Sequence, residues 1–181
     1  KNLKMDNVVR IPLNHCCLPG SSIPQFGFGT YRLKKKAVVE PLSHALSVGV
    51  PLVDTAAVYN NEQQIGSVLS GLESEHHSLP YVVTKLWRSD QSSEAARIEQ
   101  SLRDSLRALR LQHVDCWLLH WPGPGRHVSK HYACPSSWSP AMRVQTVRHM
   151  AALIGKGCNA VGVSNFSVRQ LQQLIDAGVC P

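Results

Sequence analysis

Three short apolar runs that each stop on a titratable side chain constrain this chain more than any other feature. Val50-Pro51-Leu52-Val53 leads to Asp54, Tyr81-Val82-Val83-Thr84 to Lys85, and Cys116-Trp117-Leu118-Leu119 to His120. Tyr59 lies just past the first of them. Runs of this length and continuity predict strands buried on both faces, as in a parallel sheet covered by helices. The C-terminal ends of parallel strands share one face, where the following loops build active sites. The four polar groups are therefore expected at one mouth. A solvated surface accounts for any one of them and poorly for the set.

Segments of helical period separate the runs. Residues 8–24 predict a hairpin with Leu18-Pro19-Gly20-Ser21-Ser22 as its turn, followed by a strand over 25–30. Helices are predicted over about 37–48, 61–72, from Ser92-Ser93-Glu94 to about Leu109, and over about 142–154. A fifth strand, Ala160-Val161-Gly162-Val163, leads to Ser164-Asn165-Phe166, and a sixth helical segment starts at Ser167. Residues 122–140, rich in Gly, Pro, Ser and His, are too long for an ordinary connection and read as a lid, a binding loop or a disordered segment. Alternation of this kind closes into a (β/α) barrel or opens into a doubly wound sheet, and the pattern alone does not choose. Gly27-Phe28-Gly29-Thr30-Tyr31 falls short of the G-x-G-x-x-G of a dinucleotide-binding turn. The whole chain, 1–181, reads as a single domain without a linker.

Composition excludes several classes. No stretch approaches the ~20 apolar residues of a membrane span, and Lys1-Asn2-Leu3-Lys4-Met5-Asp6 lacks the core of a signal peptide. Six cysteines without a CxxC pair predict reduced thiols in a cytoplasmic protein. The net charge of +7 is scattered; Lys34-Lys35-Lys36 is the one basic run and reads as a solvated turn, so no nucleic-acid partner is expected. His127, His131 and Cys134 lack a fourth ligand at a clear spacing, and no metal site is expected. His76-His77 reads as an exposed loop.

Five ordered stretches resemble the aldo-keto reductase family: Gly27-Phe28-Gly29-Thr30-Tyr31, Asp54-Thr55-Ala56-Ala57-Val58-Tyr59-Asn60-Asn61-Glu62 with Ile65-Gly66, Thr84-Lys85-Leu86-Trp87, Leu119-His120-Trp121-Pro122, and Gly162-Val163-Ser164-Asn165-Phe166. The resemblance implies a (β/α)8 barrel whose mouth binds a nicotinamide cofactor, usually NADPH, and which reduces aldehydes or ketones. Prostaglandin, sugar and simple aldehyde substrates all remain open, and a monomer is expected. It implies that Ser164 and Asn165 hold the nicotinamide carboxamide, that Gly29, Thr30, Tyr31 and Asp54 line the cofactor, and that Val58, Trp87 and Trp121 wall the substrate pocket with Tyr59 and His120. Departures from the family pattern fall at Pro51, Val147, Ala151 and Gly157-Cys158-Asn159-Ala160. Only about the first five strand–helix units of the barrel and an N-terminal hairpin are expected here, without the phosphate-binding strands. The chain is accordingly expected to be a piece of a longer polypeptide or a truncated form.

The chemistry needs these residue types. Hydride transfer to a carbonyl leaves negative charge on oxygen, and Tyr59 can supply the proton if its pKa of about 10 moves toward neutrality. A Lys85 ammonium beside the phenol would move it that way, with Asp54 as counterion. A neutral His120 would orient the carbonyl by a hydrogen bond. The resemblance assigns the same catalytic roles to Asp54, Tyr59, Lys85 and His120. Taken singly, each has a plainer role: packing for Tyr59, snorkelling for Lys85, a cap for Asp54, a loop histidine for His120, a helix cap for Ser164 and Asn165, and core for each Trp. A different class of function on the same scaffold is a non-catalytic cofactor-binding or regulatory protein, inactive through loss of the phosphate-binding strands.

Overall fold

The computed structural model describes residues 8–74, 78–124 and 134–179. A hairpin of β1 (Arg10–Pro12) and β2 (Ser22–Pro24) opens the described chain. Strand and helix then alternate: β3 (Phe28–Gly29), α1 (Val39–Ser47), β4 (Leu52–Asp54), α2 (Glu62–Ser74), β5 (Tyr81–Leu86), α3 (Ala95–Leu109), β6 (Cys116–Leu119), α4 (Pro140–Ala151), β7 (Val161–Val163) and α5 (Val168–Asp176). The strands β3 to β7 are parallel and stand in sequence order. A doubly wound sheet reverses its order at a switch point; this one does not, so the strands form an arc of a barrel. Within the described residues β3 and β7 are its edges.

Side chains along a strand alternate between faces, and the two faces bury different clusters. Val53, Val82, Leu86, Trp117, Leu119 and Val161 point outward into the core shared with Leu42, Ile65, Leu69, Ile98, Leu102, Leu109, Val147, Met150 and Leu174 of the helices. Leu52, Val83, Cys116 and Ala160 face inward and pack against Leu13, Cys17, Ile23, Tyr81 and Leu118. Leu13, Cys17 and Ile23 come from the hairpin and its loop, which therefore lines the inner face. The loop is also pinned by backbone: Val161 donates to the Cys16 carbonyl at 2.7 Å and Leu18 to that of Asn159 at 2.8 Å. Residues 13–21 all belong to this connection, so the hairpin turn is wider than Leu18–Ser22.

Several boundaries differ from expectation for local reasons. The first parallel strand shrinks to Phe28–Gly29, and β5 carries one residue further, to Leu86. A 3-10 turn over Lys35–Val38 precedes α1, which starts at Val39. Ser139 caps α4 by accepting from the Met142 amide, and Pro140 occupies the first turn, so this helix begins before 142. The α5 cap is a capping box between Ser167 and Gln170, which leaves Ser164 and Asn165 outside the cap. No helix among the described residues is long and apolar enough to cross a membrane. His76, His77, His127 and His131 lie outside the described residues, while Cys134 sits 3.9 Å from Gln91 Nε2.

Candidate active site

The inward row that buries Leu52 and Val83 ends, one pleat higher, in charge. On β4 the next inward residue after Leu52 is Asp54, and on β5 the next after Val83 is Lys85. The parallel register brings the two strand ends together, and Lys85 Nζ donates to Asp54 Oδ1 at 2.6 Å. It also donates to the Thr55 carbonyl at 2.8 Å. The lysine is 5% exposed. Burial pushes its pKa down, and the hydrogen bond and charge of Asp54 oppose that shift.

Tyr59 enters from the short 3-10 turn Ala57–Tyr59, which follows β4 and is closed by Asn60 at φ 55°. Its ring lies 5.3 Å from Lys85 Nζ, 5.1 Å from the Tyr31 ring and 5.6 Å from His120, edge-on. The expected fall in the phenol's pKa is not found. Burial first, then the Asp54 carboxylate and Tyr31, push it up to about 12. Burial is the main reason, and the ammonium, already neutralised by a carboxylate at 2.6 Å, meets the phenol as half of a pair and not as a free cation.

His120 follows β6 directly, and its amide donates to the Leu86 carbonyl at 3.1 Å. Burial, Lys85 and Arg88 hold the imidazole down at about 4, so it is neutral at pH 7. Its ring is edge-on to Trp87 at 5.0 Å and stacked on Trp121 at 6.4 Å. Asn165, at φ 62°, fixes the next loop by donating to the His120 carbonyl at 2.8 Å and to Ser164 Oγ at 3.0 Å.

A cleft of 1320 Å³ opens over these strand ends. Asp54, Val58, Tyr59, Lys85, Trp87, His120, Trp121, Tyr31, Ser164 and Asn165 all line it. Gly29 and Thr30 do not. Thr30 is fully buried beneath the floor, where its hydroxyl donates to the Asp54 carbonyl at 3.1 Å, and a side chain at Gly29 would meet open space. The cleft is also lined by Arg32, Lys34, Lys35, Asn60, Arg88 and Leu118, none of which the sequence singled out as a site residue. Lys34 and Lys35, expected on a solvated turn, face the mouth. Position in the turn directly after Trp87 is the one signal that could have found Arg88.

The remaining motif residues are scaffold. Asn61 donates to the Thr30 and Leu33 carbonyls and accepts from the Thr55 hydroxyl, locking the turn that carries Tyr59. Glu62 is buried, accepts from Thr84 at 2.6 Å and Ser105 at 3.1 Å, and has its carboxyl pushed up by burial. It thereby ties α2 to β5 and α3. Gly66 faces the backbone of Ala108 and Leu109, where a side chain would collide.

The family model for the aldo/keto reductases matches residues 25–181. The chain belongs to the aldo/keto reductase family. Methylglyoxal reductase DkgA of Escherichia coli is 34% identical over 163 residues, covering 90% of this chain and 53% of that protein. Methylglyoxal reductase DkgB of Escherichia coli O157:H7 is 39% identical over 160 residues, 86% of this chain and 53% of its own length. Among solved structures, an aldo/keto reductase from Brucella melitensis superposes with a TM-score of 0.77 at 30% identity, over 96% of this chain and 60% of that one. The Bombyx mori aldo-keto reductase in complex with NADP gives 0.78 at 26% identity, over 93% and 54%. The chain spans about half the length of the curated relatives it matches.

Proposed function

We propose that this chain carries the catalytic site of an NADPH-dependent reductase of small aldehydes or ketones, with Asp54, Tyr59, Lys85 and His120 as its working groups. One observation carries the reading: a buried lysine paired with a half-buried carboxylate, a phenol and a neutral imidazole line one cleft at the ends of parallel strands. The donor set fits a nicotinamide cofactor. Ser164 and Asn165 offer polar atoms to the cleft beside His120, and Arg32, Lys34 and Lys35 supply positive charge at the mouth for an anionic group. NADPH, when bound, supplies the hydride.

The protein's own residues handle the proton and the developing charge. A neutral His120 donates a hydrogen bond to the carbonyl oxygen and stabilises the charge building there. Tyr59, protonated through neutral pH, gives its proton to that oxygen. An alkoxide is more basic than a phenolate, so the transfer is downhill even from a phenol at about 12. The nearby ammonium of Lys85 stabilises the phenolate that remains, and Asp54 keeps that ammonium in place without a reorganisation. Trp87 and Trp121 exclude water around the reacting carbon. Methylglyoxal, named for the relatives, is a suitable first substrate.

The test is aldehyde-dependent oxidation of NADPH by the chain and by Tyr59→Phe. Removing a general acid should cost about 10²- to 10⁴-fold in kcat. Equal rates would take Tyr59 out of the mechanism.

A further inference from the structure

Among the described residues, Arg88 stands in the cleft with no acidic partner. It is 4% exposed, sits in the 3-10 turn Arg88–Asp90, and lines the same cavity as the tetrad. Its guanidinium carbon lies 4.9 Å from the Trp87 ring and 4.7 Å from the Trp121 ring, the two indoles that flank His120. Among the described residues, its Nε and Nη1 are buried with no hydrogen-bond partner. The neighbouring acid, Asp90, faces Arg97 at 3.7 Å, and Asp54, the one carboxylate among the described residues that line the cleft, is held by Lys85. From Cys116 to Ile175 the sequence has no Asp or Glu at all, so the residues between β6 and α4 include no carboxylate. Aromatic stacking repays part of the cost of burying a cation. It does not satisfy N–H donors, which need an acceptor.

Resting on the reductase reading above, we propose that Arg88 binds a carboxylate on the substrate, and that the carbonyl compounds reduced here are aldehyde or keto acids. The planar fork matches a carboxylate with two parallel hydrogen bonds, and the flanking indoles fix its plane. The tail of the substrate then lies against Arg88 while its carbonyl faces His120 and Tyr59. Arg32, Lys34 and Lys35 at the mouth add attraction for an anion entering the cleft.

The experiment compares 4-carboxybenzaldehyde with benzaldehyde as substrates, and benzoate as an unreactive ligand followed by tryptophan fluorescence. The proteins are the chain itself, Arg88→Met and Arg88→Lys. The ratio of kcat/KM for the two aldehydes should favour the acid by about 10- to 100-fold, the scale of a charge-assisted hydrogen-bonded pair. Arg88→Met should bring the ratio to about 1, mostly through KM, and Arg88→Lys should restore part of it. Benzoate affinity in the unsubstituted chain should fall with added salt, a readout that needs no variant to fold. An unchanged ratio in Arg88→Met, or benzoate binding that is absent or indifferent to salt, overturns the proposal. Turnover of neither aldehyde with benzoate binding intact would refute the reductase reading and leave the carboxylate site standing.

Discussion

Removing the carboxylate of the Asp54–Lys85 pair should destabilise the fold more than removing the ammonium. The two partners are unequally buried: the lysine side chain is 6% exposed and the aspartate side chain 37%. Asp54→Asn strands a buried ammonium whose best remaining acceptor is the Thr55 carbonyl. Breaking a fully buried pair from one side costs about 3–5 kcal/mol. Discounted for the aspartate's access to water, the loss is about 2–4 kcal/mol. Lys85→Met removes the buried charge itself, and the aspartate left behind can hydrate, so its cost is about 1 kcal/mol. In urea, with a slope of about 2 kcal/mol per molar, the midpoints should fall by about 1–2 M and about 0.5 M. The pH dependence separates this account from simple loss of packing. Burial holds the folded-state pKa of Lys85 below its ordinary 10.5. The unfolded chain therefore binds more protons in that window, and stability rises with pH up to 10.5. Asp54→Asn removes the group that opposes the shift, so its deficit should shrink as pH rises from 7 toward 10. A Lys85→Met variant as unstable as Asp54→Asn, or a deficit independent of pH, would refute the reasoning.

Other outcomes follow from the same geometry. His120 is neutral in the fold with a pKa of about 4 against an ordinary 6.5, so stability present above 6.5 should be lost as pH falls toward 4, by about 3 kcal/mol. Thermal melts from pH 7 to 4 measure it, and His120→Gln should flatten the slope. Gly66→Ala should cost about 1–3 kcal/mol, because the new carbon would lie 2.8 Å from the Leu109 carbonyl oxygen, which belongs to backbone and cannot move aside; urea denaturation reads it directly. Asp54→Asn should lower the Tyr59 pKa from about 12, since it removes a carboxylate that raises it, and ultraviolet titration of tyrosinate would show the direction.

The inner row of the arc was legible because strand periodicity is rigid. Once Leu52 and Val83 point inward, Asp54 and Lys85 must do so too, and their strands end together in a parallel register. The helical faces were readable in the same way, as Ile98, Leu102 and Leu109 show. What stayed hidden depends on distances across the fold. The rise of the Tyr59 pKa needs the positions of Asp54, Lys85 and Tyr31 at once, and no local pattern carries them. The burial of Thr30, with its hydroxyl donating to the Asp54 carbonyl, likewise depends on a strand 24 residues away. The start of α4 at Ser139-Pro140 was readable, but a loop rich in Ser and Pro conceals one more such pair.

The hairpin that lines the inner face also acts as a stopper over sulfur. Cys116 lies under Leu13, Cys17 and Ile23, is 7% exposed, and has its thiol pushed up to about 12, so it is unreactive at neutral pH while that cover is seated. Lifting the first two strands would wet the inner wall and return this thiol toward ordinary acidity. The rate at which a maleimide labels Cys116 is therefore a clock for how often the N-terminal plug leaves the arc.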